Sequence, residues 1–375
     1  MEPMQRRIAL AGLALVLGTK AAQADMTLVE QDGLKIDAAL AVGAAAIAAP
    51  NANFGAGTYR NAAAGVNTGP AVGGRISGGP EWAEGFVKPE LKATYDRDGI
   101  GTLYGDVSVV AAGTLGDGDA NLINATHKGA ERVAIEDLYA GWRSGSTLPA
   151  LGTDALDLSA GRQTFRIADG FLVADGTLDT DRRGAFWLQP RTAFAETAVL
   201  KVNTSPVRGD LFYLKNDSEL EKTHYLDQPS TALWGANVEW FQSKEGKDAR
   251  ASYDDRKLYV GATFLQVFDA DSRGIFSFRN AAATTVTNSL WANRDGLRVY
   301  SVHAGGSPLP MHEDFTLFAQ GVLERNDDGG RKVRADAWYV EPGYAFSALP
   351  WTPAVSFRYA QFSGDDNPND TTDKS

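Results

Sequence analysis

Four histidines, His127, His224, His303 and His312, are the side chains of this 375-residue chain best suited to base or metal chemistry. Their spacings are unrelated, most fall in or beside loops, and no HExxH, GxSxG, P-loop or strand–helix GxGxxG motif is present. Ser301 and His303 form the one pair that a hydrolase could mount on a strand, since a spacing of two puts both on one face. The chain has no cysteine, which excludes thiolate catalysis, cysteine-ligated zinc and a disulfide framework. Asp117-Gly118-Asp119-Ala120-Asn121 opens like a calcium loop, but Leu122 takes the glycine position and Lys128 the final acidic one. A solvated acidic turn fits better. No cofactor is expected, and weak calcium binding in that loop stays open.

The remaining charges are arranged differently: they recur at every second residue. In Gly33–Gly43, Leu34, Ile36, Ala38, Leu40 and Val42 oppose Lys35 and Asp37. The same period-two alternation returns in Phe86–Tyr95, Thr231–Phe241, Asp314–Glu324, Val333–Glu341 and Thr352–Phe362. If the polar parity faces water inside a closed sheet, its cations are Lys88, Lys92, Arg191, Lys201, Arg298, Arg334 and Arg358. The matching acids are fewer: Glu90, Glu239 and Asp336, with Asp37 and Asp157 near strand ends. A passage lined this way favours anions, and arginine offers carboxylates a bidentate fork. The competing reading is that these charges cross-pair to stiffen a plugged barrel.

The elements that must position them are strands. Roughly a dozen to fifteen alternating segments are each near the ~9–11 residues that cross a bilayer as a tilted strand, and no apolar window is long enough for a spanning helix. The expected fold is all-β, a transmembrane antiparallel up-and-down β-barrel of outer-membrane porin type, with about fourteen strands present of a larger barrel. A soluble sandwich would alternate too, but the strand number and an export leader favour the barrel. Short turns at Ser144–Ser146, Glu245–Asp248 and Asn326–Gly330 alternate with long polar loops at 49–80, 116–130, 216–230 and 271–296. Aromatics gather near segment ends (Trp82, Phe86, Tyr139, Trp142, Trp187, Trp234, Trp240, Trp338, Tyr339, Trp351), as interfacial girdles would.

The densest stretch is Glu131–Asp179. It holds two strand-like runs, Val133–Arg143 and Ala155–Phe165, with Asp137, Asp157, Arg162 and Arg166 set among leucines and aromatics. Glu136 and Arg162 fall on the apolar parity of their own strands, so each requires a bulge, an interfacial position or another register.

Residues 1–24 read as a secretory signal peptide: Arg6 and Arg7, the apolar core Ile8–Gly18, and an A-x-A site at Ala22-Gln23-Ala24. The barrel is then expected over 25–375. The formal net charge is −11, and an exported acidic chain is a poor non-specific binder of nucleic acid.

Leu156-Asp157-Leu158-Ser159-Ala160-Gly161-Arg162-Gln163, followed by Asp169-Gly170 and Asp179, resembles the alginate-export family of outer-membrane β-barrels. Phe357-Arg358-Tyr359-Ala360-Gln361-Phe362-Ser363-Gly364-Asp365-Asp366 is similar to that family's late strand and Ser-Gly-Asp loop. The resemblance implies a monomeric barrel of about eighteen strands in the bacterial outer membrane. It would pass an anionic polysaccharide of uronic acids, such as alginate, through an arginine-rich constriction. Arg162, Gln163, Asp169 and Arg358 are the positions to which family roles carry over, with Gly170 completing the motif loop. Implied partners are outer-membrane lipid, the anionic polymer or its oligosaccharides, and periplasmic export proteins. The chain departs from the pattern at its end, Asn369–Ser375, which is hydrophilic rather than an aromatic-ended strand; the expectation is a barrel lacking its last strands, with two exposed edges. Two other functions compete: a general or substrate-specific porin for small solutes, and an adhesin or enzyme anchored by the barrel and working through loops 49–80 and 271–296.

Overall fold

In this computed structural model the described residues are 22–48, 58–60, 74–76, 81–116, 130–177, 179, 183–217, 230–250, 252–270, 276–279, 285–288, 294–309, 312–327, 332–364 and 372–373. The secondary-structure elements of these residues are all β. The chain begins with β1 (Ala22–Gln31) and β2 (Leu34–Ala48), then a short hairpin of β3 (Thr58–Arg60) and β4 (Gly74–Ile76). Next come β5 (Glu81–Arg97), β6 (Gly101–Gly116), β7 (Glu131–Arg143), β8 (Leu156–Gln163), β9 (Phe194–Val202) and β10 (Val207–Lys215). They are followed by β11 (Thr231–Ser243), β12 (Arg256–Ala270) and a second small hairpin, β13 (Phe276–Arg279) with β14 (Thr285–Asn288). The chain continues through β15 (Arg298–Gly306), β16 (Phe315–Asn326), β17 (Lys332–Ala345), β18 (Ala354–Ser356), β19 (Tyr359–Phe362) and β20 (Thr372–Asp373).

The main sheet runs β1-β2-β5-β6-β7-β8-β9-β10-β11-β12-β15-β16-β17-β18, a path of neighbours in chain order, with β19 and β20 also on β17. All ladders are antiparallel except that of β20, which pairs Lys332 and Val333 in parallel. The up-and-down order is what two-residue turns and short links build most readily. Asp32-Gly33 is such a turn: both residues have positive φ, and a Cβ at Gly33 would strike the Asp96 carbonyl oxygen. Among the described residues no ladder joins β1 to the last strands.

One face of the sheet is apolar and exposed. Leu40, Val42, Val87, Leu91, Leu138, Leu158, Leu211, Trp234, Val238, Val260, Val302 and Leu323 are each more than a third exposed. A band of that length has no place in water and belongs against lipid. The all-β barrel of outer-membrane type thus stands, and its fourteen-strand path agrees with the count read from the sequence. The aromatic girdle is thinner than expected. Trp234, Trp240, Trp338 and Trp351 are exposed, but Trp82 and Tyr339 are buried on the other face.

Two expectations about connections change. The link 327–331 is short, yet it joins β16 to β17 at the end of the sheet where the long loops lie. Between β8 and β9 a loop at Asp169-Gly170 was expected, but not a link as long as 164–193. Its Phe165, Ile167, Phe171 and Val173 alternate like a strand, which hid it. Most of loops 49–80, 116–130, 216–230 and 271–296 lies outside the described residues, as do residues 1–21, the Asp117–Asn121 turn, His127 and His224. Ala22, Gln23 and Ala24 of the expected cleavage site form the first residues of β1.

Candidate functional site

The described residues of segment 164–193 do not lie over the rim; they fold along the inner face. Phe165, Ile167 and Val173 pack with Phe212, Leu265, Val299, Val322 and Ala335, so the inner face of β9–β17 is apolar at the long-loop end. Farther along, Ala185 packs with Val110 and Ala112, and Phe186 and Leu188 with Ala45, Ile47 and Trp82. Phe171 reaches the Tyr339 ring at 5.0 Å and the Phe362 ring at 6.1 Å. One segment therefore touches the inner wall from β2 round to β19. Each buried aromatic or large aliphatic side chain contributes about 1.5–3 kcal/mol to holding it there.

Charged groups hold the same segment. β7 carries a bulge: Val107 pairs Leu138 and Val109 pairs Ile135, leaving Glu136 and Asp137 opposite Ser108. Both carboxylates are consequently buried. Glu136 Oε1 accepts the backbone N–H of Thr192 at 2.5 Å and of Ala193 at 2.8 Å. A second register shift on β8 and β9 sets Arg162 opposite two residues, with Gly161 pairing Thr197 and Gln163 pairing Phe194. Arg162 then donates Nε to the Glu136 carbonyl at 2.9 Å and Nη2 to Asp217 at 3.0 Å, with the Glu136 carboxylate 3.5 Å away. The two misfit charges of the sequence thus sit at bulges and meet each other on the inner side. Asp217 also takes Arg183 at 3.3 Å. Arg191 pairs with Asp179 at 2.5 Å, both buried; burial pushes the Asp179 carboxyl up against the pull of Arg191.

The motif loop faces the last strands. Asp169 Oδ1 accepts the Phe171 N–H at 3.1 Å, and its Oδ2 accepts Arg358 Nη2 at 2.9 Å, across 189 residues of sequence. Arg358 also donates to Glu341 and lies 4.3 Å over the Tyr339 ring. Its side chain is 44% exposed, against 1% for Arg191 and 0% for Arg256, so this guanidinium alone of the three is open to a passing solute. Arg166, on the same segment, is exposed and has no ion pair among the described residues.

Toward the short-turn end the inner wall is polar. Glu239 is fully buried and accepts Arg256 Nη1 at 2.7 Å and the Tyr253 hydroxyl, with His303 Nε2 at 3.0 Å. Gly261 lies between Glu239 and His303 across the strands, and a Cβ there would stand 2.4 Å from His303 Nε2. Only glycine lets the two side chains meet over it. Arg208 pairs with Asp210, which also accepts Asn237 Nδ2 at 3.0 Å. On β5–β7, Lys88 pairs with Asp137 at 2.7 Å and Lys92 with Glu90 at 2.9 Å. Glu90, Asp106 and Asp137 bring ligand oxygens within 4.8 Å, the one such group among the described residues, but the two lysines already meet two of them. Ser301 accepts Gln320 at 2.9 Å and His303 is engaged by Glu239, so the serine–histidine pair serves the wall.

Of the expected lumen residues, Lys88, Lys92, Arg162, Lys201, Glu239 and Arg358 face inward, and Gln163 does too, donating to Ser159 at 3.0 Å and Thr197 at 2.7 Å. Lys201 stands across the strands from Asp157 and Asp210. Three residues do not face inward. Arg298 shares its parity with exposed Tyr300 and Val302, and Arg334 and Asp336 share theirs with exposed Trp338. Val333, Ala335 and Tyr339 take the inner side because segment 164–193 offers them an apolar partner there. Arg191 lies in the segment before β9 rather than in a strand. Arg183, Asp217, Arg208 and Arg256 were not singled out from the sequence. The period-two pattern of β10 could have found Arg208, but nothing local marks Asp217.

The family model described as alginate export matches residues 83–375. None of the curated proteins matches the chain. Among solved structures, the chain is similar to Salmonella typhi OmpF in complex with daunomycin: 9% identity, 90% of this chain, 100% of the other, TM-score 0.32. It is also similar to Pseudomonas aeruginosa OpdL: 13% identity, 91% and 90% covered, TM-score 0.27. A third is Pseudomonas aeruginosa OccK7 (OpdD): 9% identity, 91% and 90% covered, TM-score 0.23. Likenesses this distant carry no argument about function.

Proposed function

Because the chain belongs to the alginate-export family and is a channel of the bacterial outer membrane, we propose that it passes an anionic uronic-acid polysaccharide across the constriction at segment 164–193. The observation that carries this reading is the contact of Asp169 with Arg358, which unites the two family-like patches on the inner side. Arg358 already binds two carboxylates, Asp169 and Glu341, beside a tyrosine ring. A half-exposed pair of this kind is worth only about 0–1 kcal/mol. A uronate carboxylate can therefore take the place of Asp169 on the Arg358 guanidinium, which Tyr339 supports from beneath. Arg166 offers the next guanidinium. Passage by exchange of carboxylate partners satisfies the need of any conduit to bind well enough to admit and weakly enough to release. The deeper cations are committed to Glu239, Asp210, Asp137 and Glu90 and leave the path close to neutral.

Conductance of the protein in planar bilayers tests this. Oligouronates should block the open channel, and replacing both Arg166 and Arg358 with Ala should weaken the block about tenfold, as losing charge-assisted contacts does. Equal block by neutral oligosaccharides of the same length, unchanged in the double variant, would leave the small-solute porin in its place.

A further inference from the structure

We propose that the outer face of β15–β17 holds a specific lipid, the phosphorylated glycolipid of the outer leaflet. The misplaced charges form an ordered array there. Arg298, Arg325 and Arg334 are cross-strand partners and make one row. Below them lies the row Tyr300, Leu323, Asp336, and below that Val302, Gly321, Trp338. The two lower rows line a cleft of about 280 Å³. Gly321 forms its floor, and a Cβ built there meets nothing within 4 Å, so the space is open.

The arginine row lies at the end of the sheet from which the long loops leave, the outer side of such barrels. It stands about 13 Å above Gly321 and spans about 10 Å across three strands. That is a row for anions set above a slot for acyl chain, on the face turned to lipid. Arg298 is exposed and has no hydrogen bond or ion pair among the described residues. Arg325 donates to the backbone carbonyls of Glu324 at 2.7 Å and Ala335 at 2.8 Å, which fixes its guanidinium in place. Arg334 pairs with Asp327. Asp336 is the feature that favours a glycolipid over a phospholipid: an exposed carboxylate in the array repels a bare phosphate but accepts a sugar hydroxyl. A phosphate-bearing disaccharide supplies both partners, and its width matches the row.

Native mass spectrometry of the full chain, released from detergent with graded lipid, measures the site. The probes are the diphosphorylated glycolipid, the same glycolipid with its phosphates removed, and phosphatidylglycerol. Saturable binding of the first is expected, weakened about tenfold or more in the Arg298→Gln, Arg325→Gln double variant, as loss of charge-assisted contacts implies. Gly321→Leu should weaken it by filling the cleft, while leaving the lipid-free thermal midpoint unchanged. Equal binding of the dephosphorylated probe, or wild-type affinity in the double variant, overturns the proposal. Equal binding of phosphatidylglycerol overturns the assignment to a glycolipid.

Discussion

The inner face of β5–β7 and that of β17 at its long-loop end start from the same alternation and end with opposite chemistry. On β5–β7 the polar parity turns inward, where Lys88, Glu90, Lys92 and Asp137 pair with one another. On β17 the apolar parity turns inward, and Arg334 and Asp336 are left facing out. The difference is what each wall meets. Beside β15–β17 the lumen is occupied by Phe165, Ile167 and Val173 of segment 164–193, so the inside is the less watery side at that depth. A strand reads only the contrast between its two surroundings. Which of them is lipid and which is protein is decided elsewhere in the chain.

The largest way to disturb this contrast is Phe165→Ala. Loss of transfer energy and the cavity left behind should cost about 3–5 kcal/mol and free the segment from β15–β17. The urea midpoint should fall and single-channel conductance rise; a lower midpoint with unchanged conductance would mean the segment does not set the constriction. Next is Val302→Arg, on the exposed side of β15. If that side is lipid, the charge should cost about 2–4 kcal/mol near the bilayer midplane. A neutral result in refolding titrations into lipid would return that face to water.

Because the chain has no cysteine, single introduced thiols give the parity of β17 directly. In Ala335→Cys the thiol should resist a water-soluble maleimide until Phe165→Ala is added, whereas in Arg334→Cys, at the outer headgroup level of the other face, it should react without that change. Matching rates in the two variants would erase the reversal. The smallest effect is expected for Asp169→Asn. It should change stability by only about 0–1 kcal/mol, since its pair with Arg358 is partly exposed, yet shift reversal potentials toward anions by freeing that guanidinium.

Much of the architecture was open to reading from residue order. β7 and β8 lie almost where Val133–Arg143 and Ala155–Phe165 were expected. The conflict at Glu136 and Arg162 was visible as a break in parity, and the bulges beside them resolve it. Lys88, Lys92 and Glu239 faced inward as their parity required, because on those strands the inner side is polar. Asp217 and Arg183 gave no signal, since neither belongs to a periodic segment, and their roles come from contacts with Arg162 and with each other. Segment 164–193 was legible only at its Asp169-Gly170 loop, and its length was missed for the opposite reason. It keeps a strand's alternation while burying its apolar residues against other strands.

The amino-acid order by itself determined that this chain makes many antiparallel strands, because period-two alternation puts one face of each against an apolar surrounding and the other against a polar one. It also carried the two patches by which the family is recognised. Only the tertiary structure decided that these patches touch, through Asp169 and Arg358. It alone decided that one connection enters the lumen, and so which face of β17 is the inner one. Alternation is a local property, but inside and outside are defined by what fills the space between strands far apart in the chain.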